Sequence, residues 1–530
     1  MIAHSSQLSG EVEELHLATS GDTFAEVSAV LQPDDLLRPH ERGLIGLTHW
    51  SRGRRRATVL LERVVRPDPG DVIWDEKNGL IFSAKYKSRA TELAAGFGAG
   101  LCFLHTHPAR PGSRLHPAPS HEDLETDRRD LYALGRSLKP GVPLVAGILS
   151  DNGRWAVRVY EFRFPSTVAE VRDPSYGESS EITRAIQAIR VVGPGLRKLA
   201  TEVVGAGPAC AAGRVDLAAT DSTVRLWGQS GQEQLAAIRL GLTGLGGVGG
   251  ILAEHTARLG VGAQVAIDYD RLGHDNANRS QGALPEEIKG CARKAEVAVR
   301  LARQSATAPG FEARAIVGSV VEVDVIPDLL DCDLILNAAD SPWARQVLDH
   351  LAYTHLIPVV NGGTVIVGNP VDGAAHSGKC EVTAAAPGHP CFQCSRVYTI
   401  EEVTEAQTHP ARRGARRYID GPIDQDSEEV EERGPSVIGS NALVAGLMQL
   451  RLLALVLGTT PDAMIGTQRY HLLEGVLTLG AVRVCRPGCR RAESIARGDS
   501  IALPVGIDLD RREAERRSPV EQGDVASGLQ

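Results

Sequence analysis

The sequence predicts two α/β domains in tandem, the second built on a mostly parallel sheet with helices on both faces. Three observations predict it. From Ile238 onward, short apolar runs alternate with longer amphipathic ones, as strand–helix units do when they form a parallel sheet. The first of these strands runs into a glycine-rich turn, Gly244-Leu245-Gly246-Gly247-Val248-Gly249. Ahead of it, residues 12–165 hold a separate set of short alternating strands interrupted by a helical stretch.

Length and composition agree with this division. A chain of 530 residues is long enough for two or more domains, each burying its own core. Apolar residues make up 42 % and aromatics only 4 %, so the cores must be built from Leu, Val, Ile and Ala. The formal net charge of -9 argues against a nucleic-acid partner, whose binding domain is usually basic. No stretch reads as the roughly 20 apolar residues that span a membrane. The opening MIAHSSQLSGEVEEL lacks the layout of a signal peptide. A cytoplasmic location is therefore expected, and there the nine cysteines are poor disulfide formers; closely spaced ones suggest metal.

Taken in order, the first domain (12–165) reads as strands over 57–61 and 101–104, a helix over 122–138, and strands over 144–149 and 155–162. Ser120 is placed to cap the helix, with acidic residues in its first turn. A connector (166–219) is expected to hold a helix near 180–191. The second domain (220–490) reads as strand 239–243, a helix from 249, strand 264–268, helix 291–304, strands 312–317 and 334–338, helix 343–352 and strand 358–361. Residues 407–435 break the pattern with a basic run (Arg412, Arg413, Arg416, Arg417) followed by an acidic one, which reads as a solvated loop. The polar tail (491–530) reads as loose over its last thirty residues.

The first domain carries a candidate hydrolytic centre. His105 and His107 are two apart on a predicted strand, so both imidazoles leave the same face and can reach one metal. Asp123, at the start of the next helix, adds an oxygen ligand. Three protein ligands leave a fourth position for water, the arrangement of catalytic zinc, which lowers the pKa of that water to about 7. A general base must then manage its proton, and Glu41 is the candidate. The set Glu41, His105-Thr106-His107-Pro108 and Ser120-His121-Glu122-Asp123 resembles the JAMM/MPN (JAB) metalloproteases over roughly the first 160 residues. The resemblance implies His105, His107 and Asp123 as zinc ligands, Glu41 as acid/base, Ser120 as oxyanion stabiliser, and cleavage after the C-terminus of ubiquitin-like proteins. The spacing from His107 to Asp123 is longer than the family's, and the extra stretch holds a third histidine, His116.

The second domain carries a candidate nucleotide site. Gly244, Gly246 and Gly249 follow a strand and open a helix, which turns backbone N–H groups toward a phosphate. Asp268, in Asp268-Tyr269-Asp270, lies at the end of the next strand, ready for ribose hydroxyls. That much suits NAD as well as ATP. Arg279 and Lys294 offer cations to phosphates, and Asp340 ends a strand where magnesium could bridge phosphate oxygens; these favour ATP. The whole pattern, with Gly247 and Asn276, resembles the ThiF/MoeB family over about 220–490, whose members adenylate the C-terminal glycine of a ubiquitin-like protein and release pyrophosphate. The resemblance implies Gly246 and Gly247 in the phosphate loop, Asp268 on the ribose, Asn276, Arg279 and Lys294 on the phosphates, Asp340 on Mg2+, and a homodimer. Lys294 sits later than usual, which leaves Lys289 and Arg293 as rivals. The family's lead-in Arg-Gln pair is Ser222-Thr223 here, with Arg225 as a possible substitute.

Cys391, Cys394, Cys485 and Cys489 form two paired knuckles, a donor set for a closed structural zinc. Thioester-forming relatives place a cysteine in the crossover region, but 395–484 hold none. Cys380, beside Lys379, is the best remaining nucleophile.

The leading expectation is a bifunctional enzyme that cleaves after, and adenylates, the C-terminal glycine of a ubiquitin-like or sulfur-carrier protein. The sequence leaves the acceptor of the acyl-adenylate open among a thiol, a sulfur donor and a separate conjugating enzyme. One rival is an adenylyltransferase whose first domain only binds the carrier tail; a remote one is an NAD-dependent oxidoreductase with a fused metal domain.

Overall fold

The computed structural model describes residues 12–32, 40–75, 79–107, 119–150, 154–164, 181–203, 207–208, 213–369, 374–408, 436–458, 466–482 and 484–516. Pro108, His116, Cys210 and the charged run from 409 to 435 lie outside the described residues.

The first domain begins with β1 (Glu14–Ser20), α1 (Gly21–Leu31), β2 (Gly43–Arg52), β3 (Arg56–Val65), β4 (Val72–Asp75) and β5 (Gly79–Phe82). It continues with α2 (Ala84–Phe97), β6 (Gly100–His107), α3 (His121–Gly135), β7 (Leu144–Ser150) and β8 (Trp155–Phe162). Five short strands follow: β9 (Glu181–Ala185), β10 (Ala188–Val192), β11 (Leu196–Ala200), β12 (Glu202–Val203) and β13 (Gly207–Pro208). The main sheet has nine strands in the order β11-β10-β1-β3-β2-β6-β7-β8-β9. The helix expected near 180–191 is thus two strands. β9 pairs with β8, and β10 runs parallel to β1, so residues 181–200 close both ends of the first sheet rather than bridging two domains. Val191, Val192 and Ile189 are β-branched and buried, which favours a pleated surface over a helix.

The helices begin where side-chain caps are available. Ser20 accepts from the Thr23 N–H, Ser83 from Tyr86, and Ser120 from Asp123. α2 ends at Gly98 with φ 62°, a left-handed stop that glycine takes without strain.

The second domain opens with α4 (Asp221–Ala236), kinked at Gly228. β14 (Arg239–Thr243), α5 (Gly247–Arg258), β15 (Ala263–Ile267), α6 (Lys294–Ser305), β16 (Glu312–Ile316), α7 (Ile326–Leu330), β17 (Leu334–Asn337), α8 (Pro342–Thr354) and β18 (Val359–Asn369) then alternate. The domain ends with β19 (Ala374–Ala385), α9 (Ile438–Leu457), β20 (Gln468–His471), β21 (Val476–Leu479) and α10 (Leu509–Arg516). The sheet order is β16-β15-β14-β17-β18-β19-β20-β21; the first five strands are parallel and the last three antiparallel. The order reverses between β14 and β17, which opens a crevice at their carboxyl ends.

Two expectations change here. α9 spans 20 residues and is apolar enough, by length and composition, to cross a membrane, against the expectation that no stretch is. In the fold it is a core helix: Val444, Ala445, Met448 and Leu452 are fully buried in a cluster with Leu252, Val360 and Val382. The tail is not loose up to 516. Trp343 Nε1 donates to the Pro504 carbonyl at 2.6 Å and the Gly506 N–H to the Val321 carbonyl at 2.8 Å, pinning the segment before α10.

The two domains share one seam. The β2–β3 turn presents Arg54, Arg55 and Arg56 to the acidic segment around α7. Arg54 forks onto Asp328 at 3.0 and 3.1 Å, and the Arg55 and Arg56 N–H groups donate to Asp331 at 3.0 and 2.9 Å. Arg56 Nη1 reaches Asp333, and Arg239 reaches back to Glu14 at 2.6 Å. Ala18, Leu60, Val192 and Leu196 of the first domain join the second domain's apolar core.

Candidate nucleotide and metal sites

The glycine turn is shaped by what stands behind it. Gly244 has φ 76°, and a Cβ there would lie 2.4 Å from the Ala339 nitrogen. A Cβ on Gly249 would meet the Gly244 oxygen at 2.0 Å, and one on Gly247 the Asn441 side chain at 2.2 Å. A Cβ on Gly246 would meet nothing within 4 Å. Gly244 and Gly249 are therefore held to glycine by backbone contacts, Gly247 lies against the Asn441 side chain, and Gly246 faces open space at the N-terminus of α5, where amide N–H groups favour an anion.

Asp268 follows β15 and accepts from the Leu245 N–H at 2.6 Å and the Asp270 N–H at 2.7 Å. Burial raises its pKa, with the Lys294 charge opposing. One oxygen thus steadies the glycine turn itself. Lys294 opens α6 and donates from Nζ to Asp270 Oδ2 at 2.7 Å. Its rivals are placed elsewhere: Arg293 donates to the Tyr269 carbonyl at 2.7 Å, and Lys289 is exposed on a separate turn. Asp340 is exposed just past β17, one residue beyond the Ala339 that abuts Gly244, and immediately before Ser341, the cap of α8.

Two expected phosphate ligands are engaged otherwise. Asn276 is buried; its Oδ1 accepts from the Gly273 N–H at 3.2 Å and its Nδ2 donates to Asp275 at 2.8 Å. These bonds hold the turn. Arg279 pairs with Asp275 at 3.1 Å, although its backbone stands beside Gly247. Arg225 pairs with Asp221 one turn back at 2.6 Å.

Sequence reasoning missed Asn441 and Arg345. Asn441 reaches Gly247 from a helix nearly two hundred residues downstream, so no local pattern could show it. Arg345 lies on the first turns of α8, depressed by burial and near enough to Asp340 to feel its charge; its offset of five from Asp340 was the available signal.

Among the described residues, two groups could hold a metal ion: His105, His107 and Asp123, and the four cysteines. His105 and His107 close β6, Asp123 opens α3, and Glu41 precedes β2, whose Gly43 pairs with His105. The two Nε2 atoms are 3.2 Å apart, and Asp123 presents Oδ1 to His105 and Oδ2 to His107, each at 3.4 Å. Tetrahedral zinc with N or O ligands at about 2.05 Å needs ligand atoms about 3.3 Å apart, so the donor set fits. Burial pushes Asp123 up, but its hydrogen bonds with His105 and His107 outweigh that and hold it far below the usual carboxylate range.

Glu41 accepts from the Leu80 N–H at 3.1 Å and its charge reaches His107. The Ser120 hydroxyl donates to Asp123 Oδ2 at 2.6 Å and accepts from the Asp123 N–H at 3.1 Å. It is engaged in a capping box with a candidate ligand. One turn further, buried Asp127 pairs with Arg158, which also donates to Tyr160 at 2.7 Å. The Asp127 charge interacts with His105, a neighbour that the local sequence pattern does not reveal.

Cys489 Sγ stands 3.7 Å from Cys391 Sγ and 3.8 Å from Cys394 Sγ, and the Cys391 N–H points at Cys485 Sγ at 3.2 Å. Thiolates at about 2.3 Å from a tetrahedral zinc lie about 3.8 Å apart; a disulfide would need about 2.05 Å. These residues fit a structural zinc. Cys380 does not fit a nucleophile: it is fully buried, burial raises its thiol, and Lys379 turns to Glu381 at 3.1 Å.

The model of the ThiF family matches residues 219–488, half of the chain. The chain is 24 % identical over 177 residues to the molybdopterin-synthase adenylyltransferase of Escherichia coli K12, covering 33 % of this chain and 65 % of that protein. It is 26 % identical over 168 residues to the SAMP-activating enzyme E1 of Haloferax volcanii, covering 32 % and 56 %. It is 33 % identical over 147 residues to the tRNA threonylcarbamoyladenosine dehydratase of E. coli K12, covering 27 % and 52 %. Among solved structures, E. coli MccB with MccA-N7isoASN aligns at 15 % identity and TM-score 0.40, over 54 % of this chain and 76 % of that one. The chain thus spans about half to two thirds of the length of these curated relatives, and through residues 219–488 it belongs to the ThiF family.

Proposed function

We propose that the second domain adenylates a carboxyl group with ATP, and that the carboxyl is the C-terminal glycine of a ubiquitin-like or sulfur-carrier protein. The observation that carries this is the convergence of the glycine turn, Asp268, Asp270 with Lys294, and Asp340 at the carboxyl ends of β14, β15 and β17. A carboxylate oxygen attacks the α-phosphorus, forming the mixed anhydride as the bond to the pyrophosphate oxygen breaks. Lys294 and the N–H groups at the head of α5 neutralise charge on the phosphates. Asp340 would hold Mg2+, which supplies further charge neutralisation. Relatives named as adenylyltransferases of molybdopterin synthase and of the sulfur carrier ThiS support the substrate class. The test is ATP–pyrophosphate exchange with a small protein ending in Gly-Gly. Exchange should require that terminus and be lost in Asp340→Ala; exchange driven by tRNA and not by the protein would refute the carrier assignment.

A second reading concerns the first domain. We infer a zinc-dependent peptidase of the JAB type that trims or deconjugates the same tail, supported by the 3.2–3.4 Å spacing of the ligand atoms. His105, His107 and Asp123 would hold zinc, which would supply Lewis acidity, and Glu41 would take and return a proton. Glu41→Gln should keep zinc and lose cleavage of a tail-extended carrier. Unchanged cleavage would refute this hydrolase, and binding of the tail without cleavage by the unaltered chain would leave the domain as a tail-binding module.

A further inference from the structure

The seam between the domains contains a charged cluster that neither reaction uses. Asp333 is fully buried and accepts from Arg56 Nη1 at 2.7 Å, Lys198 Nζ at 3.1 Å, Arg190 Nη1 at 3.3 Å and the Arg239 N–H at 2.9 Å. Arg56 and Arg239 also bond Glu14. Counting Asp331, whose oxygens take the Arg55 and Arg56 N–H groups, three carboxylates face Arg56, Arg190, Lys198 and Arg239. At least one positive charge is left over. His16 adds none, since burial and the neighbouring Arg56 hold it neutral.

Beside this surplus, buried polar atoms have no partner: Arg190 Nε and Nη2, His16 Nδ1 and Thr58 Oγ1. Arg190 and Thr58 are wholly buried and His16 is 6 % exposed. The strand register gathers them. His16 lies between Thr58 on β3 and Ala188 on β10, and Arg190 is two residues beyond Ala188, opposite Ala18. Residues paired in this way share a face, and that face is the one turned to the second domain, because Ala18 and Leu60 pack into its core. Ser51, bonded to His355, stands beside Thr58 on β2, and Lys198 stands beside Arg190 on β11. A water could answer the donors but not the charge; an anion answers both.

We propose that this seam binds a halide-sized monovalent anion, held by Arg190 Nε and Nη2, the Thr58 hydroxyl and His16 as its Nδ1–H tautomer. The site lies in the wall between the domains, so occupancy should tighten their docking. Two measurements on the full chain test it. Crystals grown with bromide should show an anomalous peak beside Arg190. The melting temperature should rise by several degrees when chloride or bromide replaces gluconate at equal ionic strength, and Arg190→Met should abolish that difference. Ordered water in place of the bromide peak, or equal melting in halide and gluconate, overturns the proposal. A halide shift that survives Arg190→Met also overturns it, by putting the ion elsewhere. Should Arg190→Met fail to fold, the bromide map of the unaltered chain decides alone.

Discussion

Lys294 Nζ lies 2.7 Å from Asp270 Oδ2, at the mouth of the glycine turn. The cation is already aimed, and an arriving phosphate has to draw it from a carboxylate that is 43 % exposed, where such a pair is weak. Lys294→Ala is expected to lower ATP–pyrophosphate exchange by about 10²-fold, the effect of removing one preorganised charge from a transition state. Lys289→Ala should leave it within about twofold. Equal losses in the two variants would show that Lys294 has no special place.

Metal content separates the two donor sets. The purified chain should hold about two zinc equivalents. His107→Ala should remove one with little change in melting temperature. Cys394→Ser should remove the other and destabilise the second domain strongly, because a structural zinc contributes folding free energy directly. Elemental analysis beside thermal denaturation reads both.

Glu14 predicts an acid-sensitive seam. Burial raises its pKa, but the hydrogen bond from Arg239 and the nearby Arg56 outweigh that and lower it from 4.5 to about 2. A carboxylate with a depressed folded-state pKa contributes stability above its unfolded value and loses it as pH falls through the folded one. The contribution, on the order of 3 kcal/mol, should be complete above pH 4.5 and vanish by about pH 2. In Glu14→Gln the stability curve should be flatter across that window; an unaltered slope there would rule the pair out as its source.

Asp333→Ala leaves Arg56, Arg190 and Lys198 facing one another in a buried site. Removing one partner of a buried ion pair typically destabilises by about 3–5 kcal/mol. Calorimetry should show a lower melting temperature, with the two domains unfolding in separate steps.

Gly244→Ala combines a left-handed backbone with a Cβ 2.4 Å from the Ala339 nitrogen. The Ala339 backbone would have to yield, moving Asp340. Exchange should fall while the circular dichroism spectrum is retained.

The sequence was most legible where chemistry and periodicity coincide. The strand–helix alternation after Ile238, the glycine turn and the cysteine knuckles appear close to their expected positions. His105, His107 and Asp123 come together because a two-residue offset on a strand fixes a face whatever the length of the loop that follows. Long-range pairings were not legible. Nothing within 181–200 says that β10 will lie parallel to β1, so a helix was expected. The roles of Asn276 and Arg279 on phosphate and of Ser120 on an oxyanion follow from resemblance; the fold adds local partners that residue type does not reveal, since short polar side chains beside a turn or helix start also satisfy backbone groups, and Arg279 pairs with Asp275 one turn away. Asn441 and Asp333 act across distant segments, beyond any local window.

The first residue of β2 pairs with His105 and its last turns into the arginine hairpin seated on Asp328 to Asp333. Ten residues of strand set those ends about 30 Å apart. β17 starts beside the same seat and leads away to Asp340. One strand thus ties the neighbour of His105 to the acidic seat from which β17 sets out toward Asp340.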